Sequence, residues 1–339
     1  MHSSGFEFNK EKMFLRFNGL MLEIIEKSTG TKTSKNTHQN YKLFQLYHDE
    51  FLFRSYHAYS ILKRMRSLKE NVLKPQFERL KPHLNITDET KILFSSFVTR
   101  EYIYFVLPFL NTLFILQDRI MLLLKQHLNI KFTKPVQKPE ETDQSFKWRL
   151  MSFRDSIQKF SGYANNNFKI LNKFPNTIQK LVKDYWNNHA KNIRQYRNLD
   201  QHQYQMYYHS FYSLKPKEEF VLYLPDEITK NIKLHEITYN KNIVALDLFE
   251  SEFRAFHDFV ESMLKQIKVQ PSEIQPGQSF SPLEGLLKYK NGTLLSIMVI
   301  GNEALTFRIS KNNDLNSEAK RTDLKSIPNR ITSFNWEFK

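Results

Sequence analysis

The chain has 339 residues, 40% of them hydrophobic, with 29 Phe, 16 Tyr, 8 Gly, 12 Pro, no Cys and a formal net charge of +15. That is enough apolar material for a real core, which excludes a wholly disordered chain. The absence of cysteine excludes disulfides, thiol catalysis and cysteine-ligated metal. Scarce glycine argues against glycine-rich nucleotide loops and favours long helices, and the positive balance points to an anionic partner.

Residues 1–36 are polar and close on a Ser/Thr/Lys run that reads as a loop. The start "MHSSGFEFNKEKMF" lacks the order of a signal peptide, so a cytoplasmic location is expected. From Tyr41 to about Val72, apolar and aromatic side chains recur at three- and four-residue steps (Leu43, Leu46, Tyr47, Phe51, Phe53, Tyr56, Tyr59, Leu62), predicting a long amphipathic helix. The prolines of "LKPQFERLKPHL" break it, and "NITDET" supplies caps for a second helix over Lys91–His127, kinked at Pro108. The most apolar stretch, Tyr102–Leu116, is short for a membrane span and contains Pro108 and Asn111, so it reads as a buried helix and no membrane is expected.

A proline-punctuated loop precedes a third helix, about Gln144–Tyr163. Asn176 and Thr177 are expected to cap a fourth helix running to about Tyr208. "EEFVLYLPDEI" and "LHEITYNKNIVALDLF" read as two strands, the second leading into a helix over about Leu246–Lys268. Residues 269–283 read as a linker and 284–339 as a small β-rich segment with hairpin chemistry at Asn291-Gly292. The expected division is thus 1–36, 37–268, 269–283 and 284–339.

Charge is unevenly spread. Between Phe146 and Arg197 lie eleven lysines and arginines against two aspartates, an excess of nine. This segment runs into "YRNLDQHQY", Tyr196–Tyr204. On a helix Asn198 and His202 share a face, whereas Arg197 is rotated about 140° from His202. Two such helices packed antiparallel would bring both sets together, so the spacing suits a composite site in a homodimer. The residue types suit RNA cleavage without metal. His202 carries protons near neutral pH, Arg197 stabilises charge on phosphorus, and Asn198 orients a phosphate oxygen or the imidazole. Arg194, Lys191, Lys183 and Lys180 are the candidate RNA contacts.

"RNLDQH" resembles the signature of the HEPN superfamily, α-helical domains with an Arg, four to six residues and a His, often with Asn after the Arg. The long helix before the motif and "LPD" in the strand after it fit that resemblance, which covers about Tyr41–Lys268. It implies a mainly α, HEPN-like helical bundle with a short strand pair after the motif helix and the β-rich segment as an appendage. It further implies a dimeric, metal-independent ribonuclease of toxin–antitoxin or phage-defence type. Arg197 and His202 take the motif's ends and Asn198 its second position. In family toxins paired with nucleotidyltransferase antitoxins, the Tyr two residues after the His is AMPylated, and Tyr204 takes that position. Its alternative is aromatic packing at a helix end.

His57 and His257, each three residues after an Arg, read as surface or packing residues, and His189 stands 13 residues before His202. No His-Glu-x-x-His or comparable metal spacing, Walker loop or nucleophile elbow occurs, so no metal or cofactor is expected. Two other readings use the same residues: a non-catalytic helical dimerisation protein, and an RNA-binding module working through the basic segment.

Overall fold

The computed structural model describes residues 35–87, 89–202, 210–215, 217–226, 233–270, 294–300, 303–309 and 320–323. It is mainly helical, with a small antiparallel sheet, and the chain divides into two units at Glu273/Ile274, inside the expected linker. Residues 1–34, Tyr204 and Asn291-Gly292 lie outside the described residues.

Helix α1 spans Lys35–Leu68 and continues through a π turn, Lys69–Leu73, into α2, Lys74–Leu80. The expected break at Pro75 does not occur. Pro75 falls in the first turn of α2, where its missing N–H costs least, and the wide turn before it takes up the mismatch. The expected second helix is three elements. Lys91–Leu93 is strand β1, α3 covers Phe97–Tyr104, and α4 covers Val106–His127. The cap is Ser96, whose hydroxyl accepts from Thr99 N while Thr99 Oγ1 accepts from Ser96 N, so the helix starts after "NITDET" rather than in it. The break at Phe105 follows from Pro108, which cannot donate to the Tyr104 carbonyl.

Twelve side chains of α4 are buried, and it packs against α1. The stretch Phe97–His127 is long and apolar enough to cross a membrane, yet 61% of its most apolar window is buried inside the protein, as a core helix would be. Helix α5 runs Asp143–Ser156, and the chain then breaks before a short α6, Phe160–Ala164. The motif helix is two α segments, α7 (Asn176–Tyr185) and α8 (Lys191–His202), joined by a π turn, Trp186–Ala190. Pro175 precedes α7, and neither Asn176 nor Thr177 supplies the expected cap.

Strands β2 (Ser210–Ser213), β3 (Glu219–Leu224) and β4 (Ile243–Val244) complete an antiparallel sheet in the order β1-β2-β3-β4. The expected strand pair is present, widened by β1 and β2. Helix α9, Ala245–Gln266, packs on α7, α1 and β3 through Phe249, Phe253, Phe256, Phe259 and Met263. Aromatic contacts knit the layers: Phe109 stacks on Phe249 at 4.8 Å, Tyr185 on Phe259 at 4.3 Å and Phe77 on Tyr212 at 3.6 Å. Each buried phenylalanine of this kind stabilises the fold by about 1.5–3 kcal/mol. A part-buried ion pair, Lys69–Glu219 at 2.5 Å, ties the π turn to β3. The second unit holds three antiparallel strands, β5 (Leu294–Ile300), β6 (Glu303–Ile309) and β7 (Lys320–Asp323). Strands β5 and β6 pair from Leu294 opposite Ile309 to Ile300 opposite Glu303.

Candidate functional site

Arg197 lies half-buried where α8 crosses α4. Its Nε donates to Asn111 Oδ1 at 3.0 Å, one terminal N–H donates to Asn198 Oδ1 at 3.1 Å, and its guanidinium lies 4.7 Å from the Phe114 ring. Asn111 and Phe114 are three apart on α4, so one helix turn presents an acceptor and an aromatic face together. No carboxylate among the described residues pairs with Arg197. Its positive charge is therefore held in place but not neutralised, which is what a group stabilising developing negative charge needs. Tyr196, next along α8, donates to the Pro225 carbonyl at 2.8 Å and so fixes the helix to the end of β3.

Arg194 requires a correction. It is buried, donating to Asp118 at 2.6 Å and to Gln117 at 2.9 Å, with its guanidinium 3.9 Å from Phe114. Burial lowers its pKa and Asp118 opposes that shift. The Asp118 carboxylate also accepts from Phe160 N at 2.6 Å, and Gln117 donates to Tyr185 at 3.2 Å. Arg194 is thus a structural clamp between α8, α4 and α6, not a surface contact for RNA.

The other basic candidates are exposed. Lys180, Lys183 and Lys191 reach solvent and form no ion pair among the described residues. Within the wider basic segment, Arg149 is paired with Glu141 and Lys159 with Asp155. The Arg149 hydrogen bond, followed by burial acting in the opposite sense, holds the Glu141 carboxyl down at about 2.

His202 is the last described residue of α8, and its side chain lies outside the described residues. Its helical position is within about 40° of Lys191, Gln195 and Asn198 and about 140° from Arg197. Lys191 and Asn198 on that stripe are exposed. Asp200 is half-buried on the same helix.

Asn111 and Phe114 escaped the sequence reading because they sit inside the most apolar stretch, and the signal for Asn111 was an amide where a core helix would carry an apolar residue. His189 stands in the π turn with Nδ1 3.2 Å from the buried Glu252 carboxylate, joining that turn to α9. Burial raises the Glu252 pKa and His189 counters it. His57 is exposed against Phe53, with ring centroids 6.3 Å apart, and His257 packs on Phe253 at 4.4 Å, the surface and packing roles expected of them. Among the described residues no group of three or more His, Asp or Glu is placed to hold a metal ion. Comparisons with family models, curated proteins and solved structures found no match.

Proposed function

We propose that this chain is a metal-independent RNA endonuclease of HEPN type. In this reading it acts as a cytoplasmic homodimer, as the toxin or effector of a toxin–antitoxin or phage-defence system. The observation that carries the reading is the Arg197 guanidinium, braced by Asn111, Asn198 and Phe114 with no carboxylate among the described residues to quench it, five residues before His202. His202 takes the proton of a ribose 2′-hydroxyl or gives one to the departing 5′-oxygen. The 2′-oxygen attacks phosphorus in line, the P–O5′ bond breaks, and the products are a 2′,3′-cyclic phosphate and a 5′-hydroxyl. Arg197 stabilises the negative charge that gathers on the phosphoryl oxygens, and its fork suits two of them at once.

The test is cleavage of a single-stranded RNA in EDTA by purified protein, with product ends identified. Wild type should cut and leave cyclic phosphate, DNA of the same sequence should survive, and His202→Ala should abolish cutting while keeping the circular dichroism of the fold. Equal cutting by wild type and His202→Ala overturns the reading. The exposed Lys180, Lys183 and Lys191, with no ion pair among the described residues, favour a second reading, RNA binding without cleavage. Tight binding of uncut RNA by wild type would mark that outcome.

A further inference from the structure

A cleft of about 370 Å³ opens between α5, α6 and the turn over residues 166–169, lined by Trp148, Met151, Asp155, Lys159, Gly162 and Asn167 among others. Its walls are built closely. A Cβ on Gly162 would stand 2.2 Å from the Ser156 carbonyl oxygen and 2.5 Å from the Ser156 Cα, so only glycine lets α6 lie against the end of α5 here. The opposite wall is a strained turn in which Asn166, Phe168 and Lys169 all take left-handed backbone, with φ of 50°, 54° and 54°. A bulky residue such as Phe rarely adopts that conformation. Asn166 holds it, accepting from Leu171 N at 3.0 Å and donating to Asn172 at 2.8 Å. The turn sets Asn167 in the cleft wall, 3.4 Å from Ser156 Oγ.

The opening is aromatic and cationic together. Trp148 is 65% exposed and Met151 48%, an apolar platform left open to solvent. Lys147 and Arg154 flank the cleft lining on α5, within about 60° of Met151 and about 100–120° from Trp148 by helical spacing. Both are exposed and form no ion pair among the described residues, as is Lys169 on the opposite wall. Lys159 lines the cleft itself, 2.7 Å from Asp155. A purely apolar peptide would leave these cations unused. A nucleic-acid single strand uses both features, its bases stacking on the ring and its phosphates meeting the cations.

We propose that this cleft receives one unpaired base of single-stranded RNA, stacked on Trp148, with the flanking phosphates on Lys147 and Arg154. The proposal rests on the RNA reading above and adds a contact outside the Arg197/His202 motif. The cleft is of the size that small-molecule and nucleotide sites take, and base–aromatic stacking is sequence-tolerant, so any base should serve.

The test is fluorescence polarisation of the full chain with end-labelled 2′-O-methyl octaadenylate, which has no free 2′-hydroxyl and so stays intact whether or not the protein cleaves RNA. Trp148→Ala should weaken binding about tenfold, and Trp148→Phe should retain most of it. An abasic strand of equal length should bind wild type and Trp148→Ala alike. Thermal melts of both variants should match wild type, as expected for so exposed a side chain. Unchanged affinity in Trp148→Ala overturns the proposal. So does displacement of the strand by adenosine monophosphate at equal nucleotide concentration, which would assign the cleft to a free nucleotide. Cleavage of ordinary RNA is read separately on a gel, so failure of the nuclease reading and failure of the cleft are told apart.

Discussion

Arg197 and Arg194 show how two residues of one type, one helical turn apart, take opposite fates. Both guanidiniums lie against Phe114, at 4.7 and 3.9 Å. Arg194 meets the carboxylate of Asp118 and is consumed by structure, whereas Arg197 meets two amides and keeps its charge. The sequence offered both as cations for RNA, Arg194 as a contact and Arg197 at the reacting phosphate, because spacing tells which face of α8 a residue occupies but not what the facing helix carries there. If Arg197 stabilises charge on phosphorus, Arg197→Ala should lower the cleavage rate by about 100- to 1000-fold. Arg197→Lys keeps the charge without the fork and should retain partial activity. On the same proposal Asn111, which accepts from Arg197 Nε, would be a positioning residue acting through Arg197. Loss of one hydrogen bond worth about 1 kcal/mol predicts roughly fivefold slower cleavage in Asn111→Ala. Asn111→Asp should do worse, because the new carboxylate neutralises the guanidinium. Single-turnover rates with unchanged RNA affinity would separate positioning from a general loss of fold, and Asn111→Asp activity equal to wild type would remove Arg197 from the chemistry.

Among the elements, those with long periodic patterns were legible and those decided by distant partners were not. Helix α9 was expected over Leu246–Lys268 and spans Ala245–Gln266, because its phenylalanines repeat at helical steps. Strand β1 was missed. Its three residues carry no alternation, and its pairing with Ser210–Ser213 joins segments about 120 residues apart in the chain. The π turn at Trp186–Ala190 had no signal in an otherwise continuous pattern, yet it decides which side chains of α8 face α4. Helix α9 also carries a pH dependence. Both ring nitrogens of His257 are shielded from water between Phe253 and Phe256, and burial holds its pKa down at about 3 from 6.5. A depressed histidine pKa means that the unfolded chain takes the proton first. Stability is therefore full above the ordinary pKa of 6.5 and is lost as pH falls toward 3. At about 1.4 kcal/mol per pH unit, this residue removes about 2 kcal/mol between pH 6.5 and 5. His257→Leu should flatten that limb in urea titrations at pH 7 and pH 5, and an acid slope equal to wild type would show that another group controls it.

Over the whole molecule, charge and symmetry decide how the motif would work. The exposed Lys180, Lys183 and Lys191 lie on the two segments that lead into the motif, and none of them is held in an ion pair among the described residues. Reversing all three to Glu should weaken RNA binding and lower the slope of log affinity against log salt by about 2, near 0.7 for each phosphate no longer neutralised. An unchanged slope would leave the field as a solvated face. The basic run was legible from composition alone, because exposed lysines need no tertiary partner. The proposed composite site rests in the sequence on an angle: Arg197 and His202 are about 140° apart on α8, so one helix does not aim both at a single phosphate. The proposed two-fold dimer would resolve this by facing Arg197 of one chain with His202 of its partner. Arg197→Ala and His202→Ala should then each be inactive alone, yet mixing them after co-refolding should restore cleavage. In a mixed dimer one site carries both lesions and the other carries neither. Half of randomly paired dimers are mixed and each has one good site of two, so recovery should approach about one quarter of wild-type activity. Were both groups drawn from the same chain, each would serve a site already damaged by its own substitution, and the mixture would stay inactive.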